Sequence, residues 1–400
     1  MTEQPSPPSR PDSRIRMWHR PMRSRDRSEH HRVATPLELL FDLCFVVAVG
    51  QAAAQLHHAL AEGHVGHGVF SFVLVFFGIW WGWLNFSWFA SAFDTDDVPY
   101  RLATLVQIAG GLTVAAGVER AFDGDFRVMV AGYVLMRLAM VVQWLRAARS
   151  DRGCRPAALR YAAGIAGCQV LWVGYLWLPH GLQPYAFFVF AILEMAVPVW
   201  AESRQGTTWH PHHIAERYGL FTLIVLGEVI LSATNAIKEG AAEPGHLGAL
   251  VSLAAAGLVL VFSMWWLYFD RPGHARLVRR PTMFTSMSWG YGHYFIFASA
   301  SAVGAGLEVA VAYDTGALHD LGGVAAALPT TLPVAIFLLS VWLLHIGPTN
   351  ECRPIAIGFP VTAVLVVAAS FTPAPIHVAA VLSAALVALT VVATHGELQA

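Results

Sequence analysis

The chain is poor in charge. Asp, Glu, Lys and Arg make up 13% of its 400 residues, against roughly 25% in ordinary soluble domains. Lysine is nearly absent, with Lys238 the single example. It lies outside every apolar run, which excludes a retinal Schiff base. Cysteine is scarce and scattered: Cys44, Cys154, Cys168 and Cys352 form no CxxC pair, so neither a disulfide framework nor a metal-binding cysteine set is expected. There is no GxxxxGK loop closed by Ser or Thr, so ATP is not the expected direct energy source. HExxH and GxSxG are missing as well. No cofactor and no metal are expected. The net charge of −1 assigns no partner, and nucleic acid is not expected as one.

What the chain has in quantity is apolar length. Hydrophobic residues account for 56% and the mean hydropathy is +0.54. A transmembrane helix needs about 20 mostly apolar residues. Twelve such runs are legible, at 36–58, 68–90, 99–118, 127–146, 158–178, 184–201, 214–237, 247–269, 284–308, 324–346, 355–371 and 375–394. The expected fold is all-α, a polytopic bundle of about twelve transmembrane helices. Little chain is left for any other domain.

Residues 1–32 differ from the rest. They carry Arg10, Arg14, Arg16, Arg20, Arg23, Arg25, Arg27 and Arg32 among Pro and Ser, with no apolar stretch. This segment is expected to be a disordered basic cytoplasmic arm that sets topology and attracts anionic lipid head groups, at about 1 kcal/mol per charge. Residues 33–400 then form the membrane domain. With the arm inside, the inner loops hold Arg101, the run Arg146 to Arg160, Arg204, Arg217, the run Arg271 to Arg280, and Arg353. The outer loops hold only Arg120, Arg127 and Lys238. That alternation fits twelve spans with both termini cytoplasmic.

The two halves, 33–205 and 206–400, echo each other. Leu39-Leu40-Phe41 opens span 1 and Gly219-Leu220-Phe221 lies near the start of span 7. Trp80-Trp81 with Phe93-Asp94 in span 2 is matched by Trp265-Trp266 with Phe269-Asp270 in span 8. Gly117-Val118-Glu119 is matched by Gly306-Leu307-Glu308. An even number of spans per half implies a parallel repeat, as in some transporters.

Charge inside a span costs at least about 2.5–3.5 kcal/mol at the centre, so each such residue needs a partner or a watery cavity. Glu38 and Asp42 stand four apart on one face of span 1. Arg137 in span 4, Glu194 in span 6 and Glu228 in span 7 lie near mid-membrane and suggest one buried cluster. Glu216 and Arg217 open span 7. Asp94, Asp96 and Asp97 with Arg101 sit between spans 2 and 3, able to hold a cation or to pair with Arg217 and neighbouring loop arginines. Structural ion pairing competes with a transport role at each of these positions. The Trp80-Trp81-Gly82-Trp83 run reads as interfacial belt or packing residues, and His293 as a polar packing residue. His210-Pro211-His212-His213 lacks Cys or carboxylate at ligand spacing and is not read as a metal site.

Arg32-Val33-Ala34-Thr35-Pro36-Leu37-Glu38-Leu39-Leu40-Phe41-Asp42-Leu43 resembles the opening signature of the bacterial low temperature requirement protein A family. The resemblance continues through Trp80-Trp81-Gly82-Trp83, Phe93-Asp94-Thr95-Asp96-Asp97 with Tyr100-Arg101, and Glu216-Arg217-Tyr218-Gly219-Leu220-Phe221. It ends with Leu226-Gly227-Glu228 and Trp265-Trp266 with Tyr268-Phe269-Asp270. It implies a multi-pass protein of the bacterial plasma membrane and a link to growth in the cold, but no established activity. The arginine-rich arm is not part of the family pattern. A proton- or cation-coupled secondary transporter is the leading expectation, with substrate and ion unassigned. The alternatives are a membrane enzyme acting on a lipid-linked substrate, and a non-catalytic membrane protein needed in the cold.

Overall fold

The computed structural model describes residues 18–25, 32–204, 206–240, 247–271, 273, 277, 282–318, 321–347 and 352–399. The described residues form twelve long helices and no strand. The first half holds α1 (Pro36–Ala61), α2 (Val65–Phe93), α3 (Val98–Ala116), α4 (Arg127–Ser150), α5 (Arg155–Tyr175) and α6 (Gln183–Glu202). The second holds α7 (Pro211–Gly240), α8 (Leu247–Phe269), α9 (Met283–Asp314), α10 (Gly323–Val341), α11 (Arg353–Ala368) and α12 (Pro375–Gln399). Ten of them are long and apolar enough to cross a membrane; α3 and α5 fall short of that measure. Both carry polar residues along their length, Arg101, Thr104 and Gln107 on α3 and Arg160 and Gln169 on α5, of which Thr104, Gln107 and Gln169 are buried in the bundle. The chain is a multi-pass membrane protein.

Local chemistry sets the helix starts. Thr35 accepts from the Glu38 amide while the Glu38 carboxylate accepts from the Thr35 amide, a reciprocal capping box ahead of Pro36. Asp97 caps α3 by accepting from the Tyr100 amide, with Pro99 in the first turn. Small residues let helices close on one another where no hydrophobic effect drives them together. A Cβ at Gly110 on α3 would stand 2.7 Å from the Gly132 carbonyl oxygen of α4. Gly306 on α9 likewise meets the backbone of Pro329 on α10.

Neighbouring helices pack in the same order in each half. Within the first, α1 touches α2 and α3, and α3 to α6 follow as a chain; α7 to α12 share that order, but α8 also packs closely on α12, with no comparable contact between α2 and α6. Contacts between halves are one-sided, because α1 packs on both α7 and α9. The Trp-Trp…Phe-Asp segments also sit in unlike surroundings. Trp80 and Trp81 are fully buried, whereas Trp265 and Phe269 are exposed on α8.

Part of the basic arm lies on the bundle. Met22 is fully buried, the Arg20 amide donates to Asp97, and the Ser24 amide and hydroxyl donate to Asp151. The Arg25 amide donates to the Ala92 carbonyl. Residues 18–25 therefore depart from the free arm expected from composition: a buried methionine and carboxylate acceptors on two loops hold them. Residues 1–17 and 26–31, with Arg10, Arg14, Arg16 and Arg27, lie outside the described residues, as do Arg276, Arg279 and Arg280. These contacts place the arm, the 94–97 loop and the 151 loop on one face, called here the arginine-rich face.

Candidate functional site

α1 and α7 meet beneath the arginine-rich face in a cluster of charge. Arg217 of α7 lies 3.0 Å from Glu38 Oε1 and 2.5 Å from Asp42 Oδ1. All three side chains have no exposed surface. Spacing of four residues on α1 puts both carboxylates before one guanidinium. His213, one turn before Arg217, sets Nε2 3.2 Å from Glu38. Arg32 stands 4.0 Å from Glu38 and donates to the Ala90 and Ser91 carbonyls. Trp83 Nε1 donates to Asp42 Oδ1 at 2.7 Å, and Arg217 donates to Ser87 Oγ at 3.1 Å. Two arginines thus balance two carboxylates. Among the described residues, Asp42 Oδ2 is buried without a hydrogen-bond partner.

An aromatic layer closes this cluster from the middle of the bundle. Trp83 stacks on Phe221 at 4.3 Å between ring centres, and Phe297 of α9 stands edge-on to both, at 5.6 Å from Trp83 and 4.9 Å from Phe221. Beyond it lies Glu228, half-buried on α7. Its carboxylate occupies the space a Cβ would need at Gly50 of α1. Further along, His57 of α1 and Glu308 of α9 pair at 3.0 Å on the opposite face. From Asp42 to position 50 is about 12 Å of helix, and from there to His57 about 10 Å. Ionisable groups therefore recur along the whole α1–α7–α9 seam.

A second buried pair lies inside the first half. Arg137 of α4 donates to Glu194 Oε2 of α6 at 2.6 Å. Trp81 Nε1 donates to the same oxygen at 2.9 Å. Gln169 Nε2 and Trp172 Nε1 donate to Oε1 at 3.1 and 3.3 Å. Glu228 does not join this pair: α7 presents it to α1 instead, so the single mid-membrane cluster expected from depth divides in two. Depth along a helix says nothing about azimuth.

The acidic loop after α2 is committed to structure. Asp97 binds Arg146 at 2.8 and 3.0 Å besides capping α3. Asp96, at φ 48, pairs with Arg101 at 2.8 Å in the open. Asp94 accepts from the Asp96 amide and lies 3.9 Å from Arg25. None reaches Arg217. Burial, with the charge of Glu38 behind it, raises Asp94 to about 6. Burial acts the same way on Asp97, but the amides of Arg20 and Tyr100 and the Arg146 guanidinium outweigh it and hold that carboxyl below its ordinary range. Glu216 accepts from the Ala34 amide at 3.2 Å.

The tryptophan run is not an interfacial belt. Trp80, Trp81 and Trp83 are buried, and two of them donate to the carboxylates of the two clusters. The pairing of Asp97 with Arg146 agrees with the expected partnership with neighbouring loop arginines, whereas Arg32, His213, Gln169, His57 and Glu308 had no expected place in these networks. His213 had a usable signal, since it lies four residues before Arg217 on the same helix face. Buried His293 sets Nδ1 2.7 Å from the Trp289 carbonyl oxygen and Nε2 3.3 Å from His345 Nε2. Among the described residues no group of three or more His, Cys, Asp or Glu stands close enough to hold a metal ion.

Residues 33–394 match the model of the bacterial low temperature requirement A protein family, so the clusters just described belong to a member of that family. The chain is also similar to an uncharacterized protein of Rhizobium meliloti (strain 1021), at 28% identity over 313 residues that cover 72% of this chain and 73% of that one. No solved structure matches it significantly. The family places the protein among bacterial membrane proteins.

Proposed function

We propose that the protein is a proton- or cation-coupled secondary transporter whose coupling path is the α1–α7–α9 seam. The observation that carries this reading is the open oxygen of Asp42. A carboxylate buried in a span normally has its lone pairs satisfied. Among the described residues, Asp42 Oδ2 has no hydrogen-bond donor, in a charge-balanced cluster that joins the two halves. A proton or small cation on that oxygen changes the balance that holds α1 to α7. Glu228 and the His57–Glu308 pair supply further stops toward the opposite face. The aromatic layer between Asp42 and Glu228 supports a closed barrier rather than a continuous pore.

The enzymatic alternative needs free carboxylates together at one membrane boundary. Asp96 and Asp97 are instead tied to Arg101 and Arg146. Under the transport reading the arginine-rich face is cytoplasmic, both termini lie on that side, and arginines of the arm meet anionic head groups.

The test is solid-supported membrane electrophysiology on proteoliposomes. A proton or sodium concentration jump should displace charge as the ion enters, with no transported substrate needed. Asp42→Asn should abolish that signal while the protein stays monodisperse. A wild-type protein silent to protons, sodium and potassium would overturn the proposal.

A further inference from the structure

A cavity of about 460 Å³ lies beside the seam, between α2, the connection from α6 to α7 and the start of α9. That volume suits a small ligand. Trp144 of α4 lies flat on Tyr161 at 4.1 Å and edge-on to Phe89 at 4.9 Å. Trp209, in the α6–α7 connection, stands edge-on to Trp88 at 4.8 Å. With Tyr291 of α9, these aromatic side chains make most of the wall.

Most donors of this wall are spent on the protein. Trp88 Nε1 donates to the Tyr218 hydroxyl, and the Tyr291 hydroxyl to the Met195 carbonyl, both at 3.0 Å. The Ser286 hydroxyl donates to the Thr282 carbonyl, and the Asn85 amide to the Trp81 carbonyl. Glu202 accepts from the Tyr161 and Thr207 hydroxyls at 2.9 and 2.6 Å and is engaged beyond these two. Two indoles are the exception. Among the described residues, Nε1 of Trp144 and Nε1 of Trp209 donate to nothing, and neither nitrogen is sealed within packing. An indole nitrogen can only donate. Two N–H groups carried by different elements therefore open onto an aromatic space. Among the described residues no Arg, Lys or His side chain lines it. An anion would find no counter-charge there, and a cation no unspent carboxylate. A neutral acceptor needs neither, and it satisfies donors that are costly to leave unmade in an apolar pocket.

We infer that this cavity binds a neutral, planar ring with carbonyl acceptors, of the quinone class, held by the indole N–H groups of Trp144 and Trp209 between the aromatic walls. The rings supply stacking and apolar contact. The two N–H groups supply orientation and reject a ring of the same shape that lacks the carbonyls. Binding here does not require the transport reading. The two are joined only through the bond from Trp88 to Tyr218 of α7.

The test uses purified full-length protein in a neutral detergent and duroquinone as the probe, whose methylated ring does not add thiols. Durene, the same tetramethyl ring without carbonyls, and tetramethylbenzoate are the controls. Titration calorimetry, with the heat of empty micelles subtracted, should show saturable binding of duroquinone. Durene should bind at least tenfold more weakly, and tetramethylbenzoate more weakly than duroquinone. The carbonyl stretch of bound duroquinone should move to lower wavenumber in the infrared difference spectrum. Trp144→Phe and Trp209→Phe keep a ring in the wall and remove one N–H each. Each should lower the ratio of duroquinone to durene affinity several-fold and reduce the carbonyl shift. The ratio cancels any loss of packing that weakens both ligands alike. Trp144 is buried and Trp209 only half-buried, so Trp209→Phe carries the test if Trp144→Phe does not fold. Met287→Trp fills the cavity from α9 and should abolish binding of both rings. Equal affinity for duroquinone and durene would mark a plain apolar void and overturn the inference. So would an unshifted carbonyl, an unchanged ratio in the Phe variants, or tighter binding of tetramethylbenzoate. Charge displacement on a proton or sodium jump should persist in Met287→Trp, so failure here and failure of the transport reading are separate results.

Discussion

Arg137 and Arg217 are both buried in long helices, and each faces a carboxylate from another helix at 2.5–2.6 Å. Their surroundings differ. Arg137 has one carboxylate, and neutral donors from Trp81, Gln169 and Trp172 fill both oxygens of Glu194. Arg217 has two carboxylates, and one oxygen of Asp42 is left open. The first pair ties α4 to α6 within one half. The second ties α1 to α7 across the halves. Among the described residues, both clusters keep buried guanidinium nitrogens without a hydrogen-bond partner. Under the proposed transport reading it is therefore the count of neutral donors to the carboxylates that separates the anchor from the ion site.

The contrast breaks most visibly at the anchor. Removing one member of a buried pair leaves an uncompensated charge and costs about 3–5 kcal/mol. Glu194→Ala also strands two indoles and an amide, so it should cut membrane protein levels severely. Arg137→Met combined with Glu194→Leu removes both charges and should recover much of that loss. Protein yield and thermal unfolding in detergent measure it. Full stability of Glu194→Ala alone would mean that Glu194 is no anchor.

At the open site the same logic predicts a smaller loss. In Asp42→Asn, one amide oxygen can still accept from Trp83 and Arg217, and Glu38 still faces the guanidinium. The change leaves two guanidiniums facing Glu38 alone, so stability should fall by up to about 3 kcal/mol. That is less than in Glu194→Ala because no donors are stranded, while ion-driven charge displacement disappears. A variant that unfolds as readily as Glu194→Ala would erase the distinction between the two clusters.

These two cases show what the sequence could convey. Apolar length reports helices directly, so the places of all twelve were readable before any coordinates. Ten of the twelve are also long and apolar enough to cross a membrane, and α3 and α5, which carry Arg101 and Arg160, are not. Arg137, Glu194 and Glu228 were readable as deep charges because few lie at that depth, but which carboxylate Arg137 takes was not. Glu38 and Asp42 were readable as one face through their spacing, but their partner was not. Pairing across helices depends on how each helix is rotated, and Gly50, which lets Glu228 approach α1, carries no chemical signal of its own. The tryptophans were readable as belt or packing residues, and their burial makes them packing residues, but their bonds to carboxylates were not legible. An indole beside a carboxylate and an indole at a lipid interface look alike in one dimension.

Glu228 extends the comparison to the middle of the seam. Gly50→Ala would force its carboxylate aside, a cheap movement for the end of a flexible side chain. Stability should therefore change little, whereas charge displacement should fall several-fold. Glu228→Gln should do the same without altering packing. Normal displacement in both variants would end the ion path at Asp42 and leave Glu228 a bystander.

The smallest effect repeats the contrast outside the spans, between Asp94 and Asp97. Asp97 is rich in donors and is held below the ordinary aspartate range, so its contribution to stability is complete above about pH 4 and fades only as pH falls further. Asp94 is poor in donors, and burial with the nearby charge of Glu38 raises it to about 6. A raised carboxyl means the folded state holds its proton longer than the unfolded chain does. Stability from Asp94 is then present near pH 4, falls as pH rises toward 6, and is flat above. Two pH units correspond to at most about 3 kcal/mol, and partial contact with water and Arg25 reduces that to about 1 kcal/mol. Asp94→Asn cannot ionise, so it should unfold at a higher temperature than the wild type above pH 6, with the gap closing by pH 4.5. A gap that widens toward acid would give Asp94 a depressed value instead, and the donor count would no longer explain how this protein sets its carboxylates.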